Sequence, residues 1–79
     1  MGICYDIIEH IATLGTYIDQ NGERWLTELN IISWNHRKPE YDIRSWNESH
    51  TNMTYGVKLT REEVDNIVVG MKQFYERIA

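Results

Sequence analysis

The chain has 79 residues, of which 25% are charged, a net charge of −4 and a single cysteine. A chain of this length forms one domain, residues 1–79, and buries too little apolar surface to be stable alone, so we expect it to self-associate. Cys4 excludes an internal disulfide, and no cysteine and histidine spacing is typical of a zinc site. No apolar run reaches the roughly 20 residues that cross a bilayer. We therefore expect a cytoplasmic protein that binds no metal, no other cofactor and no membrane.

The charges are distributed unevenly along the chain. Residues 1–23 hold four acidic residues and no lysine or arginine, residues 24–61 hold six basic and four acidic residues, and residues 62–79 hold two basic and four acidic residues. Proteins that bind polyanions usually carry a net positive charge, but a local positive segment is enough to attract a strand. The middle segment therefore favours nucleic acid although the whole chain is acidic.

Residues 3–18 carry two periodicities at once. Apolar residues recur at the three- and four-residue steps of a helix, whereas part of the segment alternates as a strand does. Five isoleucines and two threonines favour a strand, because β-branched side chains pack well on a sheet. We predict a strand that bends near Gly15.

Three further strands follow from the pattern. Asp19 to Gly22 is predicted to form a turn, in which Asn-Gly supplies the positive φ angles of a tight hairpin. The second, third and fourth strands are predicted over residues 23–34, 41–46 and 55–59, separated by polar loops over residues 35–39 and 47–54.

Residues 34–46 indicate a binding surface, since they contain two tryptophans and three basic residues. In an extended third strand, Asp42, Arg44 and Trp46 share one face. We interpret Arg44 and Trp46 as an exposed pair whose guanidinium binds phosphate and whose indole stacks on a base. Lys58 lies on the same face of the fourth strand. Ordinary sheet stabilisation is the alternative, because tryptophan is a good strand former and often covers a neighbouring arginine.

The last element is a helix. Thr60 and Glu63 have the spacing of a capping box, which predicts that the helix begins directly after Thr60. One wide apolar stripe follows, and it consists of Val64, Ile67, Val68, Met71, Phe74, Tyr75 and Ile78. We expect most of this stripe to lie in the core, and it is wide enough to contact a second copy as well.

No catalytic constellation is visible. Cys4 has no base near it in the sequence, and the serines lack the glycine-framed turn of a nucleophile. Asp42 beside Arg44 is expected to form an ion pair rather than to act as an acid. We therefore expect a non-enzymatic protein without a small-molecule substrate.

Three segments together resemble a known family. They are Trp25-x-x-Glu28-Leu29-Asn30-x-x-Ser33-Trp34-Asn35, Pro39-x-Tyr41-Asp42-Ile43-Arg44-x-Trp46 and His50-x-x-Met53-x-x-Gly56-x-x-Leu59-Thr60. In this order they are similar to the YdbC-like bacterial branch of the transcriptional positive-cofactor-four family, over nearly the whole chain. The resemblance implies an α+β fold, in which a curved four-stranded antiparallel β-sheet is followed by one C-terminal helix. It also implies dimerisation through the helices, so that two sheets present one groove to single-stranded DNA.

The resemblance also implies roles for individual residues. Arg44 and Trp46 would be the phosphate clamp and the stacking platform, and Trp34 with Asn35 would line the end of the second strand. Trp25 fits a core role as well as a binding role. The full expected nucleic-acid surface is Trp34, Asn35, Arg37, Lys38, Arg44, Trp46 and Lys58. The expected dimer interface is Val64, Ile67, Val68, Met71, Phe74 and Tyr75.

The chain departs from the family pattern at three positions. Thr27, Glu40 and Tyr55 stand where family members often carry lysine. Arg37 and Lys38 compensate in part, although a loop positions charge less firmly than a strand does. Each lost phosphate contact lowers the log–log slope of affinity against salt concentration by roughly 0.7. We therefore expect weaker binding than the family norm, or a partner that is not DNA.

The expected function is therefore homodimeric, non-enzymatic binding of single-stranded DNA with weak sequence preference, in transcription, replication or repair. A protein-interaction module on the same scaffold is the alternative from another class. Single-stranded RNA is a further possibility, because base stacking serves both nucleic acids and the 2′-hydroxyl contacts distinguish them.

Overall fold

The computed structural model describes residues 3–79, which form one open sheet and one helix. The elements are β1 (Tyr5–Ile18), β2 (Arg24–Trp34), β3 (Glu40–Asn47), β4 (Val57–Leu59) and α1 (Arg61–Ile78). The strands are antiparallel and lie in the order β1-β2-β3-β4. The predicted α+β fold is confirmed. The fourth strand is shorter than predicted, because Tyr55 and Gly56 lie in the loop before it.

The pairing of the edge strand β1 with β2 is interrupted at three places. The register shifts by one residue at each of them and skips Ile8, Ile11 and Leu14 in turn. A β-bulge inserts one unpaired residue in this way and increases the local twist. The skipped residues are spaced by three, which explains why a strand shows the apolar spacing of a helix. The bend predicted near Gly15 corresponds to the last of the three shifts.

The turn between β1 and β2 is built around the carboxylate of Asp19. Its Oδ1 accepts hydrogen bonds from the backbone N–H groups of Asn21 and Glu23, both at 2.9 Å, and its Oδ2 accepts one from the Trp25 indole at 2.8 Å. Gly22 has φ of 80°, as predicted, whereas Asn21 does not have positive φ, so the prediction for the Asn-Gly pair is confirmed for the glycine alone. The indole of Trp25, followed by the backbone donors, lowers the pKa of Asp19 below its ordinary value of 3.8.

Replacing Trp25 with phenylalanine is expected to raise the pKa of Asp19, since the indole is the largest cause of the lowering. Because the folded-state pKa is depressed, the stabilisation is fully present above the ordinary pKa and is lost as the pH falls through the folded-state pKa. A carboxyl NMR titration of the wild type and the variant measures both midpoints. Identical midpoints would contradict the role of the indole.

The core of the protomer is small and lies on one face of the sheet. This inner face carries Glu28, Asn30, Ile32, Trp34, Asp42, Arg44 and Trp46. Among the described residues, the buried hydrophobic side chains are Ile32, Trp34 and Trp46, with Tyr5 and Met53 packed against them. On β2 and β3, the rest of the inner face is polar except for the half-buried Leu26 opposite Trp46, so few apolar contacts stabilise a single protomer.

The helix α1 begins at the predicted capping box but does not pack along the sheet. Thr60 Oγ1 accepts from the backbone N–H of Glu63 at 3.1 Å, and the Glu63 carboxylate accepts from the backbone N–H of Thr60 at 2.8 Å. No residue of α1 is buried. The prediction that most of the apolar stripe lies in the core is therefore wrong for one protomer. Within residues 3–79, no helix combines the length and apolar character needed to cross a membrane.

The protomer exposes more surface than a compact chain of its size. Its accessible area is 6100 Å², whereas a compact monomer of this mass has roughly 5,000 Å². Its radius of gyration is 14.7 Å, compared with about 12 Å for a compact domain of this length. Both differences are expected when α1 does not pack along the sheet, because its apolar stripe then stays exposed to solvent.

Candidate nucleic-acid interface

Trp46 is buried, and the prediction that it is exposed is wrong. Its side chain has 0% exposure, and its ring centroid lies 5.3 Å from those of Tyr5 and His50. Met53 forms an isolated bridge with Trp46. The returning segment, residues 48–56, runs back along the edge of β3 through backbone hydrogen bonds of Asn52 and Thr54, and its His50 and Met53 side chains pack on Trp46. Strand alternation assigned Trp46 to its face correctly, but it did not show what covers that face.

Arg44 is also largely buried, with a side chain that is 10% exposed. Its Nε and Nη2 donate to Oδ1 and Oδ2 of Asp42 at 2.7 and 2.6 Å, which confirms the predicted ion pair. Its Nη1 donates to the Thr54 carbonyl at 3.4 Å, and its guanidinium lies 4.4 Å from the centroid of the Trp34 ring. The predicted exposure of this arginine is therefore wrong, and a phosphate would compete with Asp42 for it.

Gly56 permits the close approach of the returning segment to β3. A Cβ atom at Gly56 would lie 2.7 Å from Arg44 Cβ and 2.7 Å from the carbonyl oxygen of Ile43. The second of these atoms belongs to the backbone, so it cannot move aside as the end of a flexible side chain does. The position therefore requires glycine.

Replacing Gly56 with alanine is expected to lower the free energy of unfolding by about 1–3 kcal/mol, because the added methyl overpacks the contact with β3. Gly70→Ala is the matched control, since a Cβ there meets nothing within 4 Å and alanine favours a helix. Urea denaturation at a fixed protein concentration measures both variants. A Gly56→Ala variant as stable as the control would show that the segment can lift from β3.

Lys58 joins the inner face as predicted. It pairs with Asp42 across β3 and β4, and its Nζ lies 5.3 Å from the Trp34 ring centroid. Trp34 thus contacts two cations, because the Arg44 guanidinium lies against the same ring. Within the described part of the chain, no carboxylate lies at ion-pair distance from Arg37, Lys38 or Lys58. These three cations are free to contact an anion.

A groove at the β3–β4 edge contains two of the three free cations, Lys38 and Lys58. Its volume is about 570 Å³, and its lining includes Lys38, Tyr41, Lys58 and Arg61 together with Pro39, Glu40, Leu59, Thr60 and Glu63. Arg61 is paired with Asp65 and Glu63 is engaged in the capping box of α1, so Lys38 and Lys58 are the cations of the groove that remain free, opposite Glu40. Tyr41 supplies an aromatic ring in the same groove. Such a groove suits a phosphate chain with a stacked base.

The loop after β2 is tied to the start of the chain. The Asn35 backbone N–H donates to the Cys4 carbonyl at 2.7 Å, and Asn35 Oδ1 accepts from the Cys4 N–H at 3.2 Å. Asn35 and His36 both have positive φ, 51° and 62°. The Cys4 thiol lies 3.5 Å from His36 Nε2, a proximity across 32 positions that the sequence reasoning missed. Asn35 therefore holds the loop in place at the end of β2.

A buried polar network anchors the returning segment, and the sequence reasoning missed it as well. Glu28 is 5% exposed, and its carboxylate lies 3.2 Å from His50 Nε2 and 3.8 Å from His10 Nδ1. The Asn30 amide donates to Glu28 at 3.0 Å. Strand alternation places Glu28 and Asn30 on the same face as Trp34, and this was the signal in the sequence that could have indicated the network. In residues 3–79, no group of three His, Cys, Asp or Glu residues is arranged to hold a metal ion.

Comparison with known proteins identifies one relative. No family model matches the chain. A protein of Treponema pallidum (strain Nichols), described as uncharacterized, is 42% identical over 60 residues. The aligned part is 76% of this chain and 66% of that protein, so the chain spans just under two thirds of that relative's length.

Proposed function

We propose that the protein is a non-enzymatic homodimer that binds single-stranded DNA with weak sequence preference. The observation that carries this proposal is that Lys58 and Arg44 lie against the same Trp34 ring. Lys58 also lines the groove at the β3–β4 edge with Tyr41, so cations and aromatic rings lie both in the groove and on the inner face. Proteins that hold single strands combine these two groups, with cations on the backbone and rings on the bases.

The burial of Trp46 moves the proposed stacking role to other rings. Tyr41 lines the edge groove, and Tyr55 is fully exposed in the loop beside Arg44. We assign the phosphate contacts to Arg37, Lys38 and Lys58, because Arg44 is already paired with Asp42. Tyr55 stands where the resembled family often carries lysine, so the chain exchanges a charge for a stacking surface at this position.

The proposed dimer follows from the uncovered apolar surface. The stripe residues Ile67, Val68, Met71, Phe74, Tyr75 and Ile78 are 41–64% exposed. A second copy would cover the stripe symmetrically, since a two-fold interface uses the same patch twice. Helices of this length can contribute substantially to the roughly 1,200–2,000 Å² that a stable interface buries. The proposed interface also includes Val64, which is half-buried already in the protomer.

Fluorescence anisotropy tests the DNA-binding proposal. A labelled single strand of about 20 nucleotides is titrated at several salt concentrations, with duplex of the same sequence as competitor. The double variant Lys38→Gln and Lys58→Gln is expected to bind more weakly and to lower the log–log salt slope by about 1.4, which is two phosphate contacts. Lys72→Gln, on α1, is the matched control and should leave the slope unchanged.

Absence of binding to the single strand at low salt would contradict the proposal. The function to test next would then be binding of a protein partner through the apolar stripe of α1. The acidic net charge of the chain is compatible with such a partner. Competition with RNA of the same sequence separates the two kinds of strand, because contacts to the 2′-hydroxyl favour RNA.

A further inference from the structure

The side of the sheet opposite the inner face carries an apolar patch that spans all four strands. Register and strand alternation bring five apolar residues together there, and we call them the outer patch: Ala12, Leu29, Ile31, Ile43 and Val57. None of the five is buried. On the inner face, the same stretches of β2 and β3 bury Glu28, Asn30 and Asp42. A sheet with one face in water normally buries its apolar side chains and exposes its polar ones, and these stretches do the reverse.

No second layer of the protomer packs on the outer patch within residues 3–79. The extensive contacts between elements are those of neighbouring strands, and the returning segment packs on Trp46, on the inner face. No residue of α1 is buried. Only Thr60 separates β4 from α1, and its capping box fixes the direction in which the chain leaves the sheet. Swinging α1 back over its own outer patch would therefore break the capping box.

The apolar stripe of α1 has the width of a helix that packs on a broad surface. It runs from Val64 to Ile78 and spans roughly 120° of the helix circumference, at about 100° per residue. A seam between two helices uses a narrower set of positions. Pairing of two helices alone would thus leave part of each stripe exposed. The stripe and the outer patch are two apolar surfaces of one chain, and neither is covered in the protomer.

We propose that α1 of a second copy packs its apolar stripe on the outer patch, and that α1 of the first copy does the same in return. Such a reciprocal contact obeys two-fold symmetry, because residue i of one copy contacts residue j of the other and the reverse. The inference deepens the proposed function and rests on its homodimer. It differs from a contact between helices alone, because each sheet contributes to the interface.

The exposed area of the protomer agrees with this larger interface. Its 6100 Å² exceeds the area of a compact monomer of the same mass by roughly 1,100 Å². Two copies that cover this excess bury roughly 2,200 Å² in total, which lies in the range of obligate homodimers and above that of standard interfaces. Because the outer patches lie inside such a dimer, both inner faces remain open, and the exposed Lys58 stays accessible to a strand.

Nuclear magnetic resonance of a mixed dimer tests the proposal directly. Protein labelled with ¹³C and unlabelled protein are refolded together, so that filtered nuclear Overhauser effects report contacts between copies alone. We expect such contacts between the methyl groups of Leu29, Ile43 and Val57 and the side chains of Met71 and Phe74. Contacts between the two α1 helices alone would overturn the inference and leave the homodimer standing. A mixed sample that shows no contact between copies would overturn both.

Val57→Glu is expected to raise the dissociation constant of the dimer about tenfold or more, because the carboxylate would be desolvated beneath α1 of the second copy. Val57 is 57% exposed, so the protomer itself tolerates the change. Ile18→Glu is the matched control, since Ile18 is 62% exposed and pairs with Arg24 on the other side of the sheet. Sedimentation equilibrium measures the wild type and both variants. Equal dissociation constants for the two variants would contradict the role of the outer patch.

Discussion

Replacing Asp42 with alanine is expected to lower the free energy of unfolding by about 3–5 kcal/mol, the cost of leaving one buried charge without its partner. The Asp42 side chain has 0% exposure and receives two hydrogen bonds from Arg44, whose own side chain is almost as buried. Without the carboxylate, the guanidinium keeps the Thr54 carbonyl and the Trp34 ring as neighbours but loses its counter-charge. Urea denaturation at one fixed protein concentration measures the loss, because dimerisation contributes to apparent stability.

The double variant Asp42→Ala with Arg44→Met is the control for this prediction. Removing both charges leaves no unpaired ion, so the double variant should recover much of the stability that the single variant loses. A loss below about 1 kcal/mol in Asp42→Ala would mean that water reaches Arg44 and that the inner face opens in solution. In that case, Arg44 would be available to phosphate after all.

Replacing Met71 with glutamate is expected to raise the dissociation constant of the proposed dimer by about 30-fold or more, which corresponds to about 2 kcal/mol. Met71 lies in the middle of the apolar stripe of α1, and its side chain is 42% exposed in the protomer. A carboxylate there would have to be desolvated at the interface without a partner. Size-exclusion chromatography with light scattering, over a range of protein concentrations, measures the association.

Gln73→Glu is the matched control, because it adds the same charge to the opposite side of α1. It should leave the dimer intact. Equal association of the two variants would show that the stripe does not form the interface. A wild-type protein that stays monomeric at high concentration would contradict the dimer itself.

The elements of the fold were predictable because their signals are local. The hairpin turn follows from Asn21 and Gly22, the start of α1 from Thr60 and Glu63, and the face of Lys58 from strand alternation. The periodicity of β1 was ambiguous for a physical reason. Its three bulges break the two-residue alternation that identifies a strand.

The burial of the site was not predictable, because it depends on contacts between distant positions. Trp46 was placed on the correct face, but the segment carrying His50 and Met53 covers it. That segment is held by the contact of His50 with Glu28, which lies 22 positions earlier in the chain. A sequence pattern identifies the residues of one strand that share a face, whereas exposure depends on what the rest of the chain places over them.

The bulged edge of β1 also bears on whether the chain can pair edge to edge with other strands. An exposed edge strand of 14 residues, rich in isoleucine, would ordinarily offer its free N–H and C=O groups to any other strand. An incoming strand needs an even two-residue repeat to form a continuous ladder, and β1 interrupts that repeat at Ile8, Ile11 and Leu14. Ile8, Ile11 and Leu14 are apolar and would favour fibril growth in a regular strand. Because they are the bulged residues, they instead prevent a regular register with an incoming strand. Straightening β1 by deleting these three residues is therefore expected to produce a chain that aggregates through its edge.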